Sequence, residues 1–440
     1  MSTATSNSFV EAFAQLEKGL GANGQAWFLP VRQKAIARFR ELGIPTPKHE
    51  DWRFTNLAPI ARTGFRPAER ATVSAEALAP YLIEGACNLV FVNGFHAPEL
   101  SSREVPAGVT LGSLAGALNE NSPLVAQHYA QHAPYDEHPF TALNTAFARD
   151  GAFVRIARSQ VVETPLHLVF VSTGTADPTA SHPRTLLIAE ENSQASVIES
   201  YVGVGEGVYL SNAVTEIVAE PAAVVRHYKV QRELETAYHI GLTHMHLARS
   251  ANVSSVSVAF GAALSRNNVW SLLDGEGSEC TLNGLYVMRG QQHADNHLRV
   301  EHIKPHCQSW EYYKGILDGA SRGVFTGRIV VHKDAQKTDA KQTNMNLLLS
   351  AEAQIDTKPQ LEIYADDVKC THGATIGQID ENMLFYLRAR GIPENTARGM
   401  LIYAFANETL STIGVEALRA ALAKLLLERL PGGQQLDGVL

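Results

Sequence analysis

Ala213-Val214-Thr215-Glu216-Ile217-Val218, then Val224-Val225-Arg226-His227-Tyr228-Lys229-Val230, then Ile240-Gly241-Leu242-Thr243-His244-Met245-His246-Leu247 follow one another with only short polar breaks between them. Each run is rich in β-branched and aromatic residues, and none of the breaks is long enough for a helix. The same texture extends upstream through 153–157, 166–171, 185–188 and 195–202. Downstream it covers 253–259, 269–272, 285–288, 298–303, 312–317, 324–332 and 361–368. Strands that never alternate with helices argue against a doubly wound sheet and against a (β/α)₈ barrel. The chain is therefore expected to be mainly β, with an all-β core over 151–370. Sandwich, barrel and β-helix all fit this pattern, because no strict period emerges.

Helical periodicity occupies both ends. Phe9, Phe13 and Leu16, then Val31, Ala35, Phe39 and Leu42, recur at helical spacing, and Gly43 followed by Pro45-Thr46-Pro47 stops the second helix. Asn93-Gly94 after Leu89-Val90-Phe91-Val92 reads as a hairpin with a type I′ turn. Residues 101–150 look like a connector with one helix near 143–148. The expected division is an N-terminal helical region with a short hairpin over 1–150, the core over 151–370 and a C-terminal helical domain over 371–440. In the last of these, Asp380 caps a helix carrying Met383, Leu384 and Leu387, and Gly391 ends it. Pro393 opens a second helix, and Val415, Leu418, Leu422, Leu425 and Leu426 form one stripe of a third, closed by Pro431-Gly432-Gly433.

At 440 residues the chain has ample material for a core, and 45% hydrophobic with 19% charged residues is a globular balance. A net charge of −8 argues against a broad nucleic-acid surface. Four dispersed cysteines, Cys87, Cys280, Cys307 and Cys370, form neither a zinc motif nor a disulfide frame and suit a reducing cytoplasm. The start of the chain resembles neither a secretory signal nor an anchor, and no stretch approaches a membrane span.

Gly203-Val204-Gly205-Glu206-Gly207 lacks the spacing of a P-loop or dinucleotide turn and reads as a plain turn; no Gly-x-Ser-x-Gly elbow is present. His244 and His246 would share one strand face, where two imidazoles suit a borderline metal. Paired surface histidines are the commoner explanation, and whether His293, His297, His302 and His306 join a metal site is open at this point. Cys370-Thr371-His372 puts a thiol and an imidazole on one side of an extended segment, a pair able to ligate iron, although a lone cysteine also packs well in a core. Asp366-Asp367 and Asp380-Glu381 read as a turn and a helix start. Lys337, Asp339, Lys341, Gln342, Asn344 and Asn346 bring many polar groups into a strand-rich region, as a solenoid turn or a surface loop would.

The segment 327–375 resembles the SufB/SufD family. The resemblance rests on Ala335-Gln336-Lys337-Thr338-Asp339-Ala340, Gln342, Asn346-Leu347-Leu348-Leu349-Ser350, Leu361-Glu362-Ile363 and Lys369-Cys370-Thr371-His372-Gly373-Ala374-Thr375. Leu143-Asn144-Thr145-Ala146-Phe147 with Asp150-Gly151 supports it upstream, and Leu384-Phe385-Tyr386-Leu387-Arg388 downstream. Glu50-Asp51-Trp52-Arg53-Phe54-Thr55-Asn56-Leu57, His372-Gly373 where the SufB side has His-Glu, and Leu387 where it has cysteine place the likeness on the SufD side. The resemblance implies a right-handed parallel β-helix core between helical regions and a non-catalytic scaffold role in iron–sulfur cluster assembly. It implies pairing with a SufB-like chain through the β-helix, near 327–368, and binding of a SufC-like ATPase through the C-terminal helices, with a homodimer open to the isolated chain. His372 and Cys370 become candidate ligands for iron or a nascent cluster at the SufB-like interface, with nothing tightly bound by the chain alone. No nucleic acid or membrane partner is expected. The competing expectation is an independent β-helix lyase or metal-dependent hydrolase, whose groove would gather Asp and Lys/Arg on one face of successive turns.

Overall fold

The computed structural model describes residues 2–20, 28–120, 122–430 and 433. Among these, successive strands alternate between two mainly parallel sheets of eleven and ten strands, which makes a flattened β-helix of about eight turns. The first sheet runs from Gly151–Ile156 through Tyr209–Ala219 and Leu264–Leu273 to Gln354–Ile363, and the second from Leu166–Thr173 through Val224–Arg232 and Glu279–Met288 to Lys369–Gly377. In the first sheet Leu210 pairs with Tyr238, Tyr238 with Leu264, Leu264 with His293, His293 with Arg322 and Arg322 with Gln354, offsets of 28, 26, 29, 29 and 32 residues. A coil length that drifts this much hides the repeat from any fixed-period search.

Strands in the middle of both sheets are buried on both faces, so they read as near-continuous apolar runs. Inward, Val197, Val225, Val253, Leu282, Leu298 and Phe325 belong to the central core. Outward on the second sheet, Tyr228, Val256, Leu285 and Ile316 lie under the C-terminal helices Glu394–Leu410 and Glu416–Arg429, which contribute Ile402, Ala406, Leu410, Leu418, Leu422 and Leu426. Lys314 fastens this cover by donating to the Phe405 carbonyl at 2.7 Å and to Glu408 at 2.6 Å. On the first sheet, Leu210, Ile240 and Leu264 lie under Phe9, Phe13, Phe39, Trp52 and Phe140 of the N-terminal region.

Gly43 ends the helix Leu29–Leu42 at φ 65°, and Asn93 and Gly94 turn the Cys87–Val92 and Phe95–His96 hairpin at φ 52° and 81°. Asp380 caps Glu381–Ala389 by accepting from the Asn382 and Met383 amides, at 2.8 and 3.2 Å. The expected connector over 101–150 is more structured than its composition indicates. Val109–Ser113 pairs antiparallel with Gly151–Ile156, and every residue of the helix Pro139–Phe147 is buried. The strand expected at 361–368 is instead two, Gln354–Ile363 and Lys369–Gly377, because the terminal coil has an uncovered side and needs no apolar alternation there. The segment Asp339–Leu348 is a solenoid strand and not a loop, with Gln342, Asn344 and Asn346 buried. The helix stop at Pro431-Gly432 lies outside the described residues. No helix of the described residues is long and apolar enough to cross a membrane.

The apolar faces of the last two helices thus serve the β-helix itself. Ile402→Ala, at a site 1% exposed, should cost about 2–5 kcal/mol by leaving a cavity, whereas Met383→Ala at an exposed site should stay within about 0.5 kcal/mol. Urea midpoints followed by circular dichroism distinguish the two.

Candidate functional site

Two interior columns of the second sheet meet at the last coil. In one, Ala195, Val225, Val253, Cys280, Ser309, Ala340 and Cys370 are successive register partners. In the next, Val197, His227, Ser255, Leu282, Glu311, Gln342 and His372 follow the same order. Register partners in a parallel ladder project to one face, so Cys370 and His372 share the face that points into the solenoid. Cys370 is half-buried and packs against the cluster of Ile329, Val331, Ala335 and Ala340. Burial, helped by the Asp339 carboxylate, pushes its thiol upward and so favours the protonated form. His372 is exposed. It lies within the strand Lys369–Gly377, in keeping with an extended Cys370-Thr371-His372.

Both terminal strands end their sheets, and the strand carrying the pair is almost wholly exposed. The companion edge Gln354–Ile363 is interrupted by Pro359, which removes a backbone donor, whereas Lys369–Gly377 contains no proline. Around this end Tyr364, Ile376, Met383, Phe385 and Tyr386 are each more than half exposed. Large apolar side chains left exposed are the material from which interaction surfaces are built.

One coil deeper stands a residue that motif reading passed over. Glu311 is fully buried and accepts from Gln342 Nε2 at 2.7 Å, while its Oε1 and the Gln342 Oε1 have no hydrogen-bond partner. Burial pushes its carboxyl up to about 8 against the opposing Gln342 bond. Glu311 shares the parity of the buried Ser309 and Tyr313 and alternates with Trp310 and Tyr312, a period-2 signal that places it inside.

The six histidines noted in the sequence do not converge. His293 lies 3.0 Å from Thr55, and His297 contacts the Arg266 guanidinium at 2.5 Å. Arg266 also binds Asp295, the Asp51 carbonyl and the Trp52 face, so the 50–57 segment is anchored by this cluster. His302 pairs with Ser309 inside the solenoid, and His306 is an exposed turn residue. His244 and His246 do share the outer face of one strand, stacked near His132, with His246 3.3 Å from Asp274. Among the described residues no group of three or more His, Cys, Asp or Glu side chains is disposed to hold a metal ion. The Asp and Arg alignment reserved for a lyase groove does occur on the first sheet, but as neutralising pairs between coils: Arg322 with Asp356 at 2.5 Å and Arg328 with Glu362 at 2.8 Å.

Comparison with known proteins matches residues 170–405 to the family described as SUF system FeS cluster assembly, SufBD core domain, and residues 3–168 to the SufBD protein N-terminal region. The chain is 33% identical over 408 residues to the iron–sulfur cluster assembly protein SufD of Escherichia coli, covering 92% of this chain and 93% of that one. It is also 33% identical over 402 residues to an iron–sulfur cluster assembly SufBD family protein of Synechocystis, covering 89% and 88% of the two chains. SufD of Bacillus subtilis is 26% identical over 414 residues, 91% of this chain and 93% of its own.

Burial pulls His132 and His302 down to about 4 and His138, His167, His182 and His244 to about 3. The unfolded chain therefore binds more protons than the folded one below about pH 6.5, and stability rises with pH from about 4 to 6.5. Glu311 acts oppositely between about 4.5 and 8, but it is one group against six. Lowering the pH from 7 to 5 should cost ~2 kcal/mol or more, read as a falling melting temperature.

Proposed function

Because the chain belongs to the SufBD family of iron–sulfur cluster assembly proteins and is SufD-like, we propose that it is a non-catalytic scaffold subunit of a SufBCD-type complex. It pairs with a SufB-like chain and binds a SufC-like ATPase. Iron, or a nascent cluster, is the cargo, held transiently at the SufB-like interface by His372 with help from Cys370 and not retained by the isolated chain. The observation that carries this reading is the unpartnered edge strand Lys369–Gly377, which bears both candidate ligands. Its open backbone groups can be satisfied by a strand of another chain, which would bring that chain's donors beside His372. One thiol and one imidazole are too few for a tetrahedral site, so the remaining ligands come from across the interface. In isolation the same edge can pair with a second copy of itself.

Of the stretch 327–368 expected to pair, the open part is the terminal coil, Gln354–Ile363 with Lys369–Gly377 just beyond it, whereas Ile329 and Val331 are fully buried in an inner strand where proline would unfold the core. The stripe of Leu418, Leu422 and Leu426 is covered by the β-helix, which leaves the exposed face of Glu381–Ala389, with Met383, Phe385 and Tyr386, for the ATPase. Nucleotide chemistry then belongs to that partner, and this chain carries no P-loop pattern.

Phe385→Asp should abolish co-purification of the ATPase and spare the SufB-like chain, while Ile376→Asp should do the reverse. A Phe385→Asp chain that still binds the ATPase stoichiometrically would refute the assignment of that face. His372→Ala should keep both partners and a native melting curve, since an exposed ligand contributes little packing, but lower iron and acid-labile sulfide in the complex at least severalfold. Cys370→Ser should lower them less. Unchanged iron in the His372→Ala complex would leave His372 as a surface residue.

A further inference from the structure

We propose that Gln342 and Glu311 form the inner wall of the Cys370 and His372 site: the Gln342 carboxamide oxygen seats an imidazole N–H of His372, and Glu311 supplies the balancing carboxylate when a divalent cation is taken there. The inference rests on the reading of His372 as an iron ligand and extends it inward by two coils.

The register makes Gln342 the immediate ladder neighbour of His372 and Glu311 that of Gln342, all on the interior face. Two buried oxygens in this short row, Glu311 Oε1 and Gln342 Oε1, lack partners. The neighbouring polar residues are satisfied: Asn344 donates to the Tyr313 carbonyl, and Asn346 donates to the Asn344 side chain. A buried acceptor without a donor is costly, so these two oxygens are free to take a donor or face a cation where the asparagines are already closed. The next side chain outward that carries a free N–H is His372. Space is reserved for the row as well, because a Cβ at Gly327 on the facing strand would lie 2.1 Å from Gln342 Nε2. Glycine there leaves the carboxamide its place in the interior.

Burial holds the Glu311 carboxyl protonated near neutrality. The titratable groups that sense its charge are the Cys280 thiol on the preceding coil, pushed up to about 12, and the Tyr313 phenol on its own strand, also raised by burial. His302, on the facing sheet, is engaged with Ser309. None of these supplies a positive charge that would ionise Glu311, whereas a cation at His372 would. Cation uptake is then coupled to loss of one proton from Glu311 to solvent, in addition to any the Cys370 thiol gives up as a ligand, so the site gains one positive charge fewer than it would without Glu311.

Ferrous ion alone, under anaerobic conditions, is titrated into the full chain purified with its SUF partners, by calorimetry in two buffers of different ionisation enthalpy at pH 6, 7 and 8. The wild type should release about one proton more per iron than Glu311→Gln at pH 7, and its affinity should rise roughly fifty-fold more between pH 6 and 8. Gln342→Met should weaken binding about three- to tenfold with the proton count reduced, and it carries the comparison if Glu311→Gln fails to fold. His372→Ala should abolish binding. If His372→Ala loses iron while Glu311→Gln and Gln342→Met keep wild-type affinity and proton release, the inner wall is refuted and the His372 reading stands. If the wild type takes up no iron, or His372→Ala retains it, both fall.

Discussion

Every strand of a two-sheet β-helix depends on the coil above and the coil below for its backbone hydrogen bonds, and this single requirement organises the molecule. It fixes a register in which side chains stack in columns through the solenoid. It also makes the two ends unlike the middle. At the N-terminal end both sheets finish in antiparallel pairs, Val109–Ser113 with Gly151–Ile156 and the Phe95–His96 hairpin arm, which turn the edges over. At the C-terminal end the sheets stop at Gln354–Ile363 and Lys369–Gly377, and among the described residues no further coil follows. Nothing comparable to the hairpin closes the second sheet there, so its unmet backbone groups coincide with the thiol and imidazole on the same strand.

The interior is not a uniform hydrocarbon. His227 lies 3.2 Å from Glu199 and 2.9 Å from Ser255, while Lys229 donates to Asn267 at 3.1 Å. Burial pulls Lys229 down to about 8, and the Glu199 carboxyl, which burial alone would raise, is held below its ordinary value by His227 and Lys229. Compensated groups of this kind specify which coil stacks on which, since a one-residue slip would send each charge to the opposite face. Glu311 and Gln342 depart from that pattern, for their row ends in oxygens without donors.

Much of this was legible in the residues and some was not. The all-β core, the Asn93-Gly94 turn, the Asp380 cap and the three C-terminal helices follow from local chemistry that tertiary packing did not override. The β-helix itself came only through family likeness, because coils of 26 to 32 residues leave no fixed period and strands covered on both faces blur the alternation that marks a sheet. Cys370 and His372 were visible as a pair two residues apart. Glu311 was not, since a carboxylate between Trp310 and Tyr312 looks exposed until the strand's parity is known. The leucine stripe of Glu416–Arg429 was legible as a buried face, but its sequence could not say which surface buries it.

The anchoring of the 50–57 segment has a consequence for how the chain is made. Thr55 is bonded to Asp295, the Asp51 carbonyl to Arg266, and Glu50 to Lys358, so residues that leave the ribosome early are seated on coils translated much later. At ~5–20 residues per second, the roughly 240 residues between Thr55 and Asp295 take on the order of 12 to 50 seconds to appear. Until the coils carrying Leu210, Ile240 and Leu264 emerge, Trp52, Phe39 and Phe13 have no solenoid face to cover, and those strands stay bare until the anchored segment docks on them. A nascent chain with two unmatched apolar faces is a substrate for chaperones, and completing the mid-solenoid coils is the event that lets the beginning of the protein fold.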